Sequence, residues 1–220
     1  QRGMVWSCGK HRVMCGDSTS ADDVRKLMGD KKADTVIFDP PYEMTDLYNH
    51  IPTHSDFSKL LVFWDFKRFA IAPAKAIERD WEPQYEFIWD CVQSWFTPNR
   101  PLQRHKACGY FSSDAFFNTE KAIIHDGKER KAGIVKNTRG QCDYQPLDGA
   151  VHIRTVEQFP NASQTDAHGH GKPVEWLQAI YSGIGGRVFF AMFGGSGADM
   201  IACEKIGALC LTMELSPQYC

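Results

Sequence analysis

The last thirty or so residues leave the least choice of fold. Val188-Phe189-Phe190-Ala191-Met192-Phe193 is a continuous apolar run of strand length, and Gly194-Gly195-Ser196-Gly197 turns it into a helix-like run from Ala198 to Ile206. Gly207 supplies a helix end, and a second apolar run, Ala208 to Met213, closes on Glu214. Strand, glycine turn, helix and strand is the repeating unit of α/β sheets with helices on both faces, where strands read as unbroken apolar runs. The glycine turn lets backbone approach a ligand closely at a helix N-terminus. An acidic side chain at the tip of the second strand is placed to accept hydrogen bonds from ribose hydroxyls. This is a nucleoside-cofactor unit, and a dinucleotide fits it nearly as well. Against nicotinamide, the third glycine of G-x-G-x-x-G is missing, with Met200 in its place after Gly195 and Gly197, and no lysine-bearing phosphate loop is present.

The rest of the chain continues the alternation. Apolar runs at about 11 to 15, 35 to 38, 60 to 64, 86 to 90 and 107 to 111 join those at 188 to 193 and 208 to 213, seven in all, which predicts a three-layer α/β domain. Ser20 before Asp22 and Asp23 reads as the N-cap of a helix through Val24 to Met28. Phe66 to Arg79 reads helical, with Pro73 expected to kink or restart it. Pro173 is expected to open a helix from Val174 to Tyr181. Asp17, Asp39, Gly194 to Gly197 and Glu214 all fall just beyond the carboxyl ends of strands, where open α/β sheets carry their sites.

Asp39-Pro40-Pro41-Tyr42, directly after the run Thr35-Val36-Ile37-Phe38, puts a carboxylate, a rigid turn and an aromatic face at one strand end. Those parts suit methylation of an exocyclic amine on a planar base. The lone pair of such an amine is delocalised into the ring, so a catalyst must accept hydrogen bonds from the N–H groups in a geometry that favours a tetrahedral nitrogen. Asp39 supplies a side-chain acceptor and Pro40 a carbonyl, and consecutive prolines restrict the backbone that holds them. Tyr42 is placed to stack on the base. An ordinary Pro-Pro turn at a strand end is the competing account of these four residues.

Together, the two ends resemble the S-adenosylmethionine-dependent amino-methyltransferases of DNA, in the permuted arrangement where D-P-P-Y precedes F-x-G-x-G. The resemblance rests on His11 to Ser18, Ala33 to Tyr42, Gly171-Lys172-Pro173-Val174-Glu175, and Phe193 to Gly197 through Glu214 to Pro217. It covers about residues 1 to 112 and 168 to 220. It implies a three-layer Rossmann-like methyltransferase fold with a seven-stranded, mostly parallel sheet, and a single domain over 1–220 with a variable target-recognition insertion at about 112–165. It also implies Asp39, Pro40, Pro41 and Tyr42 as catalytic residues. Asp17, Phe193, Gly194, Gly195, Ser196, Gly197 and Glu214 are implied at the S-adenosyl-L-methionine site, with Lys172 near the methionine end. In the family D-P-P-Y goes with adenine N6 and S-P-P-Y with cytosine N4, so adenine is expected. The family often has Asp-Pro before F-x-G-x-G, and this chain has Ala191-Met192.

A net charge of −2 looks wrong for a DNA enzyme, but charge is uneven along the chain. Between Thr97 and Gly140 nine basic residues face four acidic ones, a local net of +5. Arg100, Arg104, Lys128, Arg130, Lys131 and Arg139 are the expected phosphate contacts, although any one of them read alone is a solvated surface charge. Hydrophobic content of 43% and charged content of 24% are those of a globular chain, with no apolar run long enough to span a membrane. Gln1-Arg2-Gly3-Met4 opens no signal peptide and lacks an initiator methionine, and the chain stops at Cys220 where relatives continue, so a processed or trimmed chain is expected. Eight cysteines without a C-x-x-C pair, among them Cys15, Cys108, Cys203 and Cys210 in apolar runs, read as reduced core thiols of a cytoplasmic protein. His168-Gly169-His170 lacks further ligands at matching spacing, and no metal is expected.

The expected partner is double-stranded DNA with the base flipped out, in a bacterial cell or phage-infected host, within restriction-modification; homodimers are common among relatives. The rival readings are a cytosine-N4 or RNA base methyltransferase, and a non-catalytic DNA-binding or regulatory module with a decayed methyltransferase fold.

Overall fold

The computed structural model describes residues 2–41, 43–65, 67–91, 105–125, 133–137, 140–144, 150–159 and 171–220. A hairpin of β1 (Val5–Cys8) and β2 (His11–Cys15) leads into α1 (Ala21–Met28), then β3 (Thr35–Phe38), β4 (Lys59–Trp64), α2 (Ile71–Ile77), β5 (Pro83–Cys91) and β6 (His105–Ser112). Four short strands follow, β7 (Ile123–His125), β8 (Gly133–Asn137), β9 (Gly140–Tyr144) and β10 (Ala150–His152), paired as β7 with β10 and β8 with β9. The chain ends with β11 (Val156–Phe159), α3 (Val174–Ile184), β12 (Val188–Ala191), α4 (Ala198–Lys205) and β13 (Leu209–Glu214).

Among the described residues the main sheet has nine strands, in the order β1-β2-β13-β12-β3-β4-β6-β5-β11. Neighbours pair in parallel except at β1–β2, β4–β6 and β5–β6. All seven expected strands are present. The expected count of seven is corrected by two edge strands. β1 is half-exposed or exposed along its length, and β11 combines an exposed Val156 with a buried Glu157. Neither is an apolar run, because an edge strand is held by backbone pairing to one neighbour and needs little side-chain burial. Trp89 on β5 secures β11 by donating its indole N–H to the Phe159 carbonyl at 2.9 Å.

The central strands β3, β4 and β12 are almost wholly apolar because both faces are covered. Val36, Phe38, Leu60, Val62, Phe190, Leu211 and Met213 face a core with Leu27, Tyr48, Ala72 and Trp81. The alternate residues Ile37, Leu61, Phe63, Phe189, Ala191 and Cys210 pack against Trp176, Leu177, Ile180 and Tyr181 of α3 and Ala202 and Cys203 of α4. Cys15, Cys108, Cys203 and Cys210 are buried free thiols, in keeping with their apolar surroundings.

Ser20 caps α1 as its sequence predicts, its side chain accepting from the Asp23 amide. α2 is shorter than expected. It starts at Ile71, so Pro73 stands in its first turn, where no intrahelical N–H is needed. α3 runs three residues past the expected Tyr181, to Ile184, and stops at Gly185 with φ of 70°. α4 closes with paired bonds, Gly207 N–H to the Glu204 carbonyl at 3.1 Å and Ala208 N–H to the Cys203 carbonyl at 2.9 Å.

Close packing across β4 and β6 gives one testable consequence. A Cβ added at Gly109 would lie 2.4 Å from the ring of Trp64, itself 5% exposed. Gly109→Ala is expected to destabilise the protein by about 1–3 kcal/mol through overpacking, read as a lower urea midpoint at unchanged slope.

Candidate functional site

The chain enters β12 and moves to β13 on one side, and leaves β3 for β4 on the other, so the sheet order reverses between β12 and β3. A crevice at the carboxyl ends of strands on either side of such a reversal is the usual ligand position in open α/β sheets. The loop after β3 begins with Asp39 and that after β12 contains Gly194 to Gly197. Phe38 and Phe193 lock the two loops together, edge to face with centroids 5.2 Å apart, and the Met192 amide donates to the Ile37 carbonyl at 3.1 Å.

On the glycine side, Gly197 N–H closes the turn on the Gly194 carbonyl at 2.9 Å. Gly195 and Gly197 have φ of 48° and 78°, values that favour glycine, and an added Cβ at either would meet nothing within 4 Å. The outer face of the loop is therefore open. Gly194 is the opposite case, since a Cβ there would come within 2.8 Å of Thr212 Oγ1 and 3.2 Å of the Met213 carbonyl. Ser196 is exposed and Phe193 half-buried.

Glu214 at the end of β13 accepts from the Gly195 amide at 3.0 Å through one oxygen and from the Ser216 amide at 2.8 Å through the other. It thus shapes the glycine loop, and a carboxylate retains further acceptor capacity. Asp17 lies next door because β2 pairs with β13, Cys15 opposite Glu214, and the Gly16 amide donates to the Glu214 carbonyl at 3.0 Å. Asp17 Oδ1 accepts from the Thr19 hydroxyl at 2.7 Å and the Thr19 amide at 2.9 Å. Those two bonds, the hydroxyl foremost, hold the Asp17 carboxyl below its usual range.

A lowered folded-state value means that Asp17 contributes stability above its unfolded pKa, and that this is lost as pH falls through the lower folded value. Thr19→Val removes the hydroxyl donor, so Asp17 is expected to titrate at higher pH, followed by NMR of the carboxyl carbon. An unmoved titration contradicts the assignment.

On the other side, Asp39 forms an ion pair through Oδ2 with Lys172, a residue 133 positions away that immediately precedes Pro173 and α3. The side chains are 20% and 10% exposed, and the ammonium also lies 4.4 Å from the centroid of the Phe63 ring. Lys172, expected at the cofactor, therefore contacts the expected catalytic carboxylate directly. Pro40 is buried and Pro41 exposed, its carbonyl accepting from Met44 N–H at 2.9 Å in a turn. Tyr48, whose hydroxyl donates to the Phe63 carbonyl at 2.9 Å, is driven well above the usual phenol range, by burial first and then by the charges of Asp39 and Asp65. It stays a neutral donor.

A cleft of about 230 Å³ opens on the opposite, α2-covered face, with Trp64, Asp65, Phe69 and His105 in its wall. Asp65 there pairs with Arg68 at 3.1 Å. Lys106, a member of the basic stretch, lies 5.4 Å from the Trp89 ring centroid, and burial foremost lowers its ammonium below the usual range.

Tyr42, Arg100, Arg104, Lys128, Arg130, Lys131 and Arg139 lie outside the described residues, as do His168 and His170. Asp199 and Tyr181, beside the site, are among the residues that escaped sequence reasoning. Asp199, in the first turn of α4, is buried with the Tyr181 hydroxyl donating to its Oδ1. An acid at that position in a helix ordinarily reads as a partner for the helix dipole, and only its burial marks it out.

No family model matches the chain, and no curated protein matches it. Solved structures do. The PvuII DNA methyltransferase, described as cytosine-N4-specific, matches with a TM-score of 0.67 at 12% identity over 94% of this chain and 82% of that one. The M1.HpyAVI–SAM complex matches at 0.60 and 12% identity, over 94% of each chain. The Thermus thermophilus protein TTHA0409, complexed with S-adenosyl-L-methionine, matches at 0.53 and 15% identity, over 95% and 91%. The fold is the α/β fold of these methyltransferases.

Proposed function

We propose that this chain transfers the methyl group of S-adenosyl-L-methionine to the N6 amine of an adenine turned out of double-stranded DNA. The observation that carries the reading is the juxtaposition of Asp39 with the open Gly194–Gly197 loop across the reversal of strand order. The cofactor reading draws on the open outer face of Gly195 and Gly197, on the Glu214 carboxylate as acceptor for ribose hydroxyls, and on Asp17 beside it. Two of the similar structures hold the same molecule. When bound, it supplies an electrophilic methyl group carried on a sulfonium.

The chain's own residues do the rest. Asp39 accepts a hydrogen bond from one N–H of the amine and the Pro40 carbonyl accepts from the other, drawing the lone pair out of the ring. A carboxylate can accept about four hydrogen bonds, so Asp39 has capacity beyond the Lys172 ammonium. Lys172 fixes the carboxylate in place. Tyr42 stacks on the flipped base, which cannot be reached within the duplex. Arg100, Arg104, Lys128, Arg130, Lys131 and Arg139 contact phosphates from the stretch around 112–165 and the loop before it, within a single domain over 1–220. The setting is a restriction-modification system in the cytoplasm of a bacterial or phage-infected cell, where the protein acts as a homodimer.

Adenine is favoured because the motif begins with aspartate. The likeness to a cytosine-N4-specific enzyme makes cytosine N4 the second reading. Unmethylated DNA incubated with the protein and S-adenosyl-L-methionine, then hydrolysed to nucleosides and analysed by mass spectrometry, decides between them. N6-methyladenine is expected, N4-methylcytosine replaces the acceptor, and no methylated base counts against transfer to DNA.

A further inference from the structure

Asp199 has no role in the mechanism above, yet it is a carboxylate at 7% exposure, two residues beyond Gly197. Carboxylates this deep are rare without a cation or several donors to compensate them. The Tyr181 hydroxyl is one such donor, and Lys172, whose ammonium is engaged with Asp39, acts on it through its charge. Burial is the largest influence on Asp199 and pushes its carboxyl up; Lys172 and then Tyr181 oppose it.

Thr212 is an independent observation at the same loop. Its hydroxyl oxygen is buried, at 4% exposure for the residue, and has no hydrogen-bond partner among the described residues. It lies directly beneath Gly194, whose missing Cβ would come within 2.8 Å of it. Thr212 pairs with Ala191 across β12 and β13, and Cys210, two residues back on the same side of β13, packs in the core that α3 and α4 cover. A buried carboxylate with a single hydroxyl donor, two residues past Gly197, and an unpartnered buried hydroxyl beneath Gly194 thus flank one glycine turn.

We propose that Asp199, oriented by Tyr181, takes the α-ammonium of the cofactor's amino-acid end, and that Thr212 donates to its α-carboxylate. The inference rests on the S-adenosyl-L-methionine reading and adds the residues that select a zwitterion at this end of the site. A dinucleotide would bring a phosphate to such a turn, where it would meet the Asp199 carboxylate with like charge.

Calorimetry on the whole protein tests it with three ligands: S-adenosyl-L-methionine, S-adenosylhomocysteine, and 5′-methylthioadenosine, which keeps the nucleoside and sulfur but lacks the amino acid. Asp199→Asn keeps the shape and is expected to weaken the first two by about tenfold or more while leaving methylthioadenosine unchanged. Thr212→Val is expected to act in the same direction, several-fold. Unchanged methylthioadenosine binding also reports that each variant is folded. Equal weakening of all three ligands assigns Asp199 to packing and overturns the inference, as does unaltered binding of all three. If the unmutated protein binds none of them, the cofactor reading itself fails and this inference with it.

Discussion

Asp39→Ala is expected to lower methyl transfer by at least about 10²–10³-fold while the protein still binds S-adenosyl-L-methionine, the scale seen when one preorganised hydrogen-bonding group is removed from an active site. The carboxylate stands at the end of β3, and the cofactor reading places its ligand contacts in the loop after β12 and the tips of β2 and β13. The two functions are therefore separable by mutation. Asp39→Asn is the companion variant, since it keeps the shape and one acceptor oxygen but loses the charge that holds Lys172. Each loss is measured by single-turnover methylation of DNA and set against calorimetric cofactor affinity. Full transfer in either variant contradicts the mechanism. Loss of cofactor binding in step with transfer contradicts the division of labour.

Trp176→Ala carries the largest expected effect on stability, about 3–5 kcal/mol, the range for deleting a fully buried tryptophan. Trp176 is 0% exposed on α3, with Phe63 at 6.1 Å and Trp89 at 6.3 Å between ring centroids. The cavity would open beneath Phe63, the ring over which Lys172 lies, so the variant is also expected to loosen the Asp39–Lys172 pair. Trp176→Phe is the informative contrast. The Trp176 indole N–H has no partner among the described residues, and phenylalanine removes that desolvated donor while keeping most of the ring. Its cost is expected to fall well below that of alanine in the same denaturant titration. Equal costs for the two variants mean that the ring does not carry the packing.

The site was legible in proportion to how local its signals were. Asp39, Gly194 to Gly197 and Glu214 each close an apolar strand, and period and punctuation place them at the same edge of a sheet before any contact is known. Lys172 was singled out through the resemblance carried by its Lys-Pro block, but its contact with Asp39 was not, because 133 residues separate them and no periodicity spans that distance. Asp199, Tyr181 and Thr212 left no signal. An acid in a first helical turn, a tyrosine in an apolar helix and a threonine in a strand are all common, and each becomes notable only once neighbours bury it.

The sequence alone determined the layered α/β architecture. Strands covered on both faces, such as β4 and β12, read as nearly unbroken apolar runs, the helices between strands need caps and glycine stops, and both requirements are written in consecutive residues. Tertiary structure alone decided the strand order, with its reversal between β12 and β3, and the two edge strands that pairing to one neighbour sustains without an apolar pattern. It also decided which charges meet. Burial sets the worth of an ion pair, and burial is a property of the assembled layers, so the pairing of Lys172 with Asp39 and the depth of Asp199 exist only in the folded chain.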